Sequence, residues 1–219
     1  MQSARLSGPA ARAALIALAL TTSSLFSGPA MATEEPRYQS LLQDGAFSVR
    51  LYGPRILAET EVAGSLEEAS SAGFRHIAAY IFGRNHARSG HGSERIAMTA
   101  PVTVEAKPQK IAMTAPVTVE QSEGRWRMEF AMPSGYTLAT LPLPDYPQVT
   151  LREVPEQKVA AIHFSGLVGA AKMRRRTDEL RAWMTEHGLV AGGAPQLARY
   201  NPPWTLPFLR RNEILIPCQ

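Results

Sequence analysis

Apolar and polar residues alternate from Phe47 to Tyr52, break at Gly53-Pro54, and resume from Arg55 to Val62. That period of two predicts a pair of short strands joined at the break. The period then changes. Ser65 is a suitable helix cap with Glu67 and Glu68 in the first turn, where the helix dipole favours acids. Phe74, Ile77, Ala78 and Ile81 follow at helical spacing until Gly83 stops the helix. Further on, Arg125–Met132, Val149–Val154, Lys158–Phe164, Leu197–Tyr200 and Asn212–Pro217 read as strands. A second helix begins after Gly166 and Gly169, with Met173, Leu180, Trp183 and Met184 as its buried stripe and Gly188 as its stop.

Two kinds of repetition interrupt this pattern. The ten residues IAMTAPVTVE occur twice, at Ile96–Glu105 and Ile111–Glu120. Alternation within each copy reads as a strand; joined by Ala106–Gln109 the two allow a hairpin, and the expectation is a local duplication that lengthens one β segment, with Pro101 and Pro116 at bulges or edges because neither can donate to a ladder. At a coarser scale the halves of the chain echo each other. Strand, Pro54, strand, helix, strands is followed by strand, Pro155, strand, helix, strands, and Val49-x-Leu51 matches Val149-x-Leu151. The expectation is a pseudo-symmetric α+β unit, mainly antiparallel, whose sheet packs two helices.

The chain has 219 residues, of which 45% are hydrophobic, enough for one domain with a substantial core. Residues 1–32 are expected to lie outside it. Arg5 and Arg12, the short apolar run Ala13–Leu20 and Ala30-Met31-Ala32 read as a secretory signal cut before Thr33, leaving 33–219 as a single exported domain in the periplasm or medium, with no stable membrane insertion after cleavage. Losing the two arginines lowers the formal charge from +4 to +2. The basic cluster of Lys172, Arg174, Arg175 and Arg176 has no interleaved aromatics, so nucleic acid is not an expected partner. Cys218 is the only cysteine, which excludes an internal disulfide.

Reactive signatures are missing: the sequence contains no G-x-S-x-G elbow, phosphate-binding glycine loop, H-E-x-x-H or paired cysteines. His86 and His91 do not have a recognised metal spacing, and His76, His163 and His187 are isolated. What is present is Tyr80-Ile81-Phe82-Gly83-x-Asn85, then Lys110-Ile111-x-Met113-Thr114-x-Pro116-Val117, Met132-Pro133 through Leu141-Pro142, Ala198–Trp204, and Arg210-Arg211-Asn212-Glu213. In this order the motifs resemble the SOUL haem-binding family across roughly Phe47–Pro217.

The resemblance implies a distorted antiparallel β-barrel with two flanking helices, built from a duplicated unit. It also implies a haem or porphyrin held in an apolar groove, often without a firm iron ligand, by a carrier, buffer or sensor and not an enzyme. Carried over by position, the groove would use Phe74 and Ala78 of the first helix, with Ser71 a turn earlier, and Met113, Tyr200, Trp204, Phe208 and Arg210. Arg75 and Arg84 are further candidate cations for the propionates. Met98, Met113 and His76 are weak candidates for axial ligation, since strand alternation points both methionines into a core. Two other readings use the same fold. A small-molecule hydrolase would need Glu129 or Glu213 as a buried base, yet Glu129 is expected to face solvent and Glu213 to pair with Arg210 or Arg211. A protein-interaction module would need no small ligand.

Overall fold

In the computed structural model, residues 33–88, 90, 92–106 and 124–219 are described. The strands are β1 (Tyr38–Asp44), β2 (Phe47–Tyr52), β3 (Arg55–Ala63), β4 (Asn85–His86), β5 (Val102–Ala106), β6 (Arg125–Ala131), β7 (Leu143–Pro144), β8 (Val149–Val154), β9 (Gln157–Phe164), β10 (Gln196–Arg199) and β11 (Asn212–Pro217). The helices are α1 (Leu66–Ile81) and α2 (Ala170–Glu186). Nine strands form one curled antiparallel sheet in the order β1-β2-β9-β11-β10-β5-β6-β3-β8, and β4 pairs with β7 separately.

Without its edge strand β1, that order is a palindrome. β2 corresponds to β8, β9 to β3, β11 to β6 and β10 to β5, and the pseudo-twofold passes between β10 and β5. The matching positions are visible in the register: Val49 lies opposite Ala160, and Val149 opposite Thr60. Gly53-Pro54 and Pro155-Glu156 therefore do not close hairpins. Each passes the chain from one half of the sheet to the other, so that β2 pairs with β9 and β3 with β8.

Both helices cover one face of the sheet. α1 starts in a capping box: the Glu68 amide donates to Ser65 Oγ at 3.3 Å and the Ser65 amide to Glu68 Oε2 at 2.9 Å. Its apolar stripe, Ile77, Tyr80 and Ile81, joins Phe130, Ile162, Leu180, Leu197 and Ile214 in the main core. The opposite face carries two smaller apolar clusters, Tyr52-Val159-Ala161-Ala198-Leu215 and Leu57-Ala131-Val154.

Of the duplicated decapeptide, the first copy alone falls among the described residues. From the first copy only Val102–Glu105 is extended, in β5, and β5 already has β6 on one side and β10 on the other. Both hydrogen-bonding edges of those residues are taken. The stretch 96–101 ahead of it is irregular and ends in a cis Ala100–Pro101 bond. The second copy, with Met113, lies outside the described residues. β1 is a strand that the alternation did not predict; all seven of its residues are exposed.

Candidate functional site

The face away from the helices holds the charged chemistry. Glu129 on β6 pairs with Thr103 on β5, Thr103 with Ala198 on β10, and Ala198 with Glu213 on β11. Directly opposed residues of antiparallel strands share a face, so the two carboxylates are related by the pseudo-twofold. Both are buried, and the two halves of the sheet treat them differently.

Glu213 is fully ionic. Arg50 donates to it twice, Nη1 to Oε2 at 2.7 Å and Nη2 to Oε1 at 3.1 Å. The Tyr200 hydroxyl adds a bond of 2.6 Å and Arg211 Nη2 one of 3.1 Å. Burial pushes this carboxyl up, but the Arg50 bonds outweigh it and hold Glu213 below the ordinary carboxylate range. Its partners are thus Arg50 and Arg211, and not Arg210.

Glu129 is 4% exposed, which corrects the expectation that it faces solvent. Alternation did place it opposite Met128 and Phe130, but the curl of the sheet and its neighbours close that face over it. Arg152 Nη2 donates to it at 2.8 Å while Arg152 Nε donates to Glu59 at 2.9 Å. Burial and the nearby Glu105 charge outweigh Arg152 and push the Glu129 carboxyl up to about 7.

Beside this face a cavity of ≈ 600 Å³ opens where the Gly53-Pro54 and Pro155 links meet the segment Glu34–Arg37 and the stretch Met132–Thr137. Its walls are mainly apolar: Ile56, Ala131, Met132, Pro133, Val154 and Pro155. A narrow recess of ≈ 40 Å³ runs alongside, past Tyr52, Leu57 and Thr103 to Glu129. Pro36, Arg55 and Ala131 line both. Glu34 fastens the overlying segment, since the Ser134 amide donates to its carboxylate at 3.0 Å and the Ala100 amide to its carbonyl at 2.9 Å.

Arg55 is the half-buried charge of this cavity; Glu34, Arg37 and Glu153 are exposed at its rim. Its guanidinium donates to Gln157 Oε1 at 3.0 Å and lies 5.2 Å from the Tyr52 ring centroid. Among the described residues no carboxylate comes within ion-pair distance of it. Burial lowers its pKa, outweighing the opposing pull of Tyr52 and Glu129.

The residues singled out in the sequence do not form one wall. Phe74 projects from α1, 39% exposed, with its ring 5.8 Å from that of Phe130, and Ala78 is buried beneath the same helix. Tyr200 sits with Glu213 on the opposite face of the sheet. Trp204 and Phe208 are 82% and 70% exposed on the β10–β11 connection. Arg210 is spent on that connection, donating to the carbonyls of Thr205 and Pro203. None of these lines either cavity. Ser71 and Arg75 are exposed, Arg84 donates to the Tyr146 hydroxyl at 2.8 Å, and Met98 is half-buried. Of the histidines, His76 contacts Thr60 and His86 contacts Asp145, while His91 lies outside the described residues. Among the described residues no cluster of His, Cys, Asp and Glu could hold a metal.

Sequence reasoning missed Arg55 and Pro36, and it picked out Met132 and Tyr136 as part of the Met132–Pro142 motif without assigning them to the site. Arg55 left a signal of its own, a cation directly after a Gly-Pro break.

The SOUL heme-binding protein family model matches residues 33–217. The chain belongs to the SOUL heme-binding protein family. The α+β architecture implied by that membership is the one observed, a curled antiparallel half-barrel with two helices. A search of the curated proteins finds no match. Among solved structures, the SOUL chain is similar to the C-terminal domain of EcmrR, with TM-score 0.55 at 11% identity over 83% of this chain and 98% of that one. An EcmrR–DNA complex matches with TM-score 0.57 at 10% identity, over 83% of this chain and 57% of that one. A protein described as a hydrolase from Listeria innocua matches with TM-score 0.52 at 11% identity, over 82% and 94%. Such low identities establish a shared fold and nothing of shared function.

Proposed function

We propose that this SOUL protein binds haem or a related tetrapyrrole without turning it over, as a carrier, buffer or sensor outside the cytoplasm. The observation that carries the reading is the ≈ 600 Å³ apolar cavity faced by Arg55, a cation with no carboxylate within ion-pair distance among the described residues. That volume lies within the ~300–1,000 Å³ of small-molecule sites. Family membership supports the ligand class. A tetrapyrrole has two broad apolar faces and two propionates. Ile56, Ala131, Met132 and Val154 suit the faces, and Arg55 with Arg37 at the rim suits the carboxylates. Met132 and Tyr136 are the lining side chains of a type that ligates haem iron, and the Tyr136 hydroxyl already donates to Glu94 at 2.7 Å. A bound haem would supply the iron's redox and ligand-binding chemistry. The protein's part is to hold and orient it beneath Glu34–Arg37. The leader-like residues 1–32 support a location outside the cytoplasm.

Hydrolysis is the second reading, and buried Glu129 with its pKa near 7 favours it, because a base titrating near the working pH is effective. Arg152 already occupies one of its oxygens and Thr103 and Gln196 approach the other, so a structural role suits Glu129 as well.

Hemin titration of residues 33–219 tests both. Carriage requires a Soret band that saturates near one hemin per chain, with binding weakened roughly tenfold or more in Arg55→Gln, since a hydrogen bond to a charged group contributes ~1.5–3 kcal/mol. Phe74→Ala should bind as the parent does. The reverse ranking moves the tetrapyrrole to α1. A flat titration together with turnover of a test ester or lactone, abolished in Glu129→Gln, replaces carriage with catalysis.

A further inference from the structure

The β10–β11 connection holds four large apolar side chains out of the fold: Trp204 (82% exposed), Leu206 (55%), Phe208 (70%) and Leu209 (61%). Leu167 on the β9–α2 turn is 63% exposed, and Gly166 beside it donates to Pro207 O at 2.9 Å, so the two turns form one surface. This connection is braced and not slack. Arg210 clamps the carbonyls of Thr205 and Pro203, Leu209 N donates to Leu206 O at 2.9 Å, and Asn212 Nδ2 donates to Gly166 O at 3.0 Å. A frame of this kind keeps the apolar groups from folding back onto the core, and a contiguous exposed apolar patch marks an interaction surface.

The surrounding charge is mostly positive. Residues 199–211 and 164–177 contain no acid, while they contribute Arg199, Arg210, Arg211, Lys172, Arg174, Arg175 and Arg176. Carboxylates reach this region from outside. Glu35 and Glu213 pair with Arg211, Glu179 pairs with Arg175 and Arg176, and Glu67 faces Arg199. Arg210, Lys172 and Arg174 have no carboxylate partner among the described residues, and Lys172 instead donates to Ser165 O at 2.8 Å.

We propose that this connection is a peripheral membrane-docking site that dips Trp204, Leu206, Phe208 and Leu209 into the interface of an anionic phospholipid layer while the surrounding arginines and lysine meet its headgroups. A tryptophan 82% exposed in an apolar turn with net positive surroundings fits a lipid interface, where indole resides and where basic residues near the surface are attracted to acidic lipids. Seven cations against four carboxylates leave these surroundings net positive, which favours a layer of acidic headgroups. Docking of this kind leaves the fold intact, and no helix among the described residues is long and apolar enough to cross a membrane. The proposal stands independently of what the cavity binds.

Sedimentation of residues 33–219 with vesicles is the test, using phosphatidylcholine alone and phosphatidylcholine mixed with phosphatidylglycerol, alongside tryptophan emission. Of the three tryptophans, Trp126 and Trp183 are already hydrogen-bonded within the fold, so an emission shift reports Trp204. Binding is expected only with phosphatidylglycerol present, with a blue shift, and should fall at least tenfold in Phe208→Asp and in Trp204→Ala. Both variants should keep the parent melting temperature, because neither side chain is part of the core. Failure of the parent to bind either vesicle overturns the proposal, as does undiminished binding by both variants. A parent that ignores vesicles yet self-associates until Phe208→Asp dissolves the assembly has a protein-docking surface instead, which equally overturns it.

Discussion

Replacing Glu129 by glutamine removes a group that opposes folding at neutral pH. Its carboxyl titrates at about 7 in the native protein against an ordinary 4.5, because it is 4% exposed and stands near Glu105. The native state therefore binds a proton that the unfolded chain releases between those values, so stability falls as pH rises through that interval. At ~1.4 kcal/mol per pH unit, the interval corresponds to about 3 kcal/mol, which includes the favourable pull of Arg152. Glu129→Gln keeps the shape and hydrogen-bonding capacity and has no proton to lose. Arg152 retains Glu59 at 2.9 Å. Urea unfolding of parent and variant at about pH 4 and about pH 8 should show the variant gaining about 3 kcal/mol on the parent between the two conditions. Groups titrating elsewhere cancel in that difference. An unchanged difference between parent and variant across the range would show that Glu129 is ionised and well solvated, and the reasoning about the curled face would fail.

Glu213→Ala leaves Arg50 buried without its counter-ion and should cost about 3–5 kcal/mol in urea unfolding at neutral pH. Because Glu213 titrates below its ordinary range, that contribution is present above the ordinary carboxylate pKa and is lost as pH falls through the native one. Gly73→Ala sets a Cβ 3.0 Å from both Cβ and Sδ of Met128. Overpacking of ~1–3 kcal/mol should exceed the ~1 kcal/mol of helix propensity gained, so the melting temperature should drop. Deleting Ile111–Glu120 shortens the connection between β5 and β6 without removing either strand, and circular dichroism should report an intact fold.

The regular elements were legible because each obeys a local rule. Ser65 with Glu68 announces α1, the gap from Phe74 to Ile81 gives its period, and Gly83 ends it. The pseudo-repeat was legible too, since Val49-x-Leu51 and Val149-x-Leu151 occupy corresponding strands of a palindromic sheet. Partner choice was not. Gly53-Pro54 looks like a hairpin turn, and nothing local reveals that β3 leaves β2 to join β8. β1 escaped notice because an edge strand exposed on both faces has no reason to alternate. Val102–Glu105 of the first decapeptide copy is held on both edges by β6 and β10, partners that nothing within the copy itself announces.

The site was harder to read because its position depends on curvature. Period two assigns Glu129 to the face opposite Phe130, and on a flat sheet that face would be wet. Here the sheet curls, and Glu34–Arg37 crosses its open edge with Pro36 in both cavities. The same curl leaves Arg55 half-buried beside a ≈ 600 Å³ space, with no carboxylate at ion-pair distance among the described residues. Conversely, Tyr200, Trp204, Phe208 and Arg210 are close in sequence yet diverge in space. Tyr200 turns inward to Glu213, Arg210 clamps its own connection, and Trp204 and Phe208 point outward from it. One apolar segment thus serves two physical ends. Its first residue closes a buried ion network, and its later ones form an apolar ridge that the fold itself leaves uncovered.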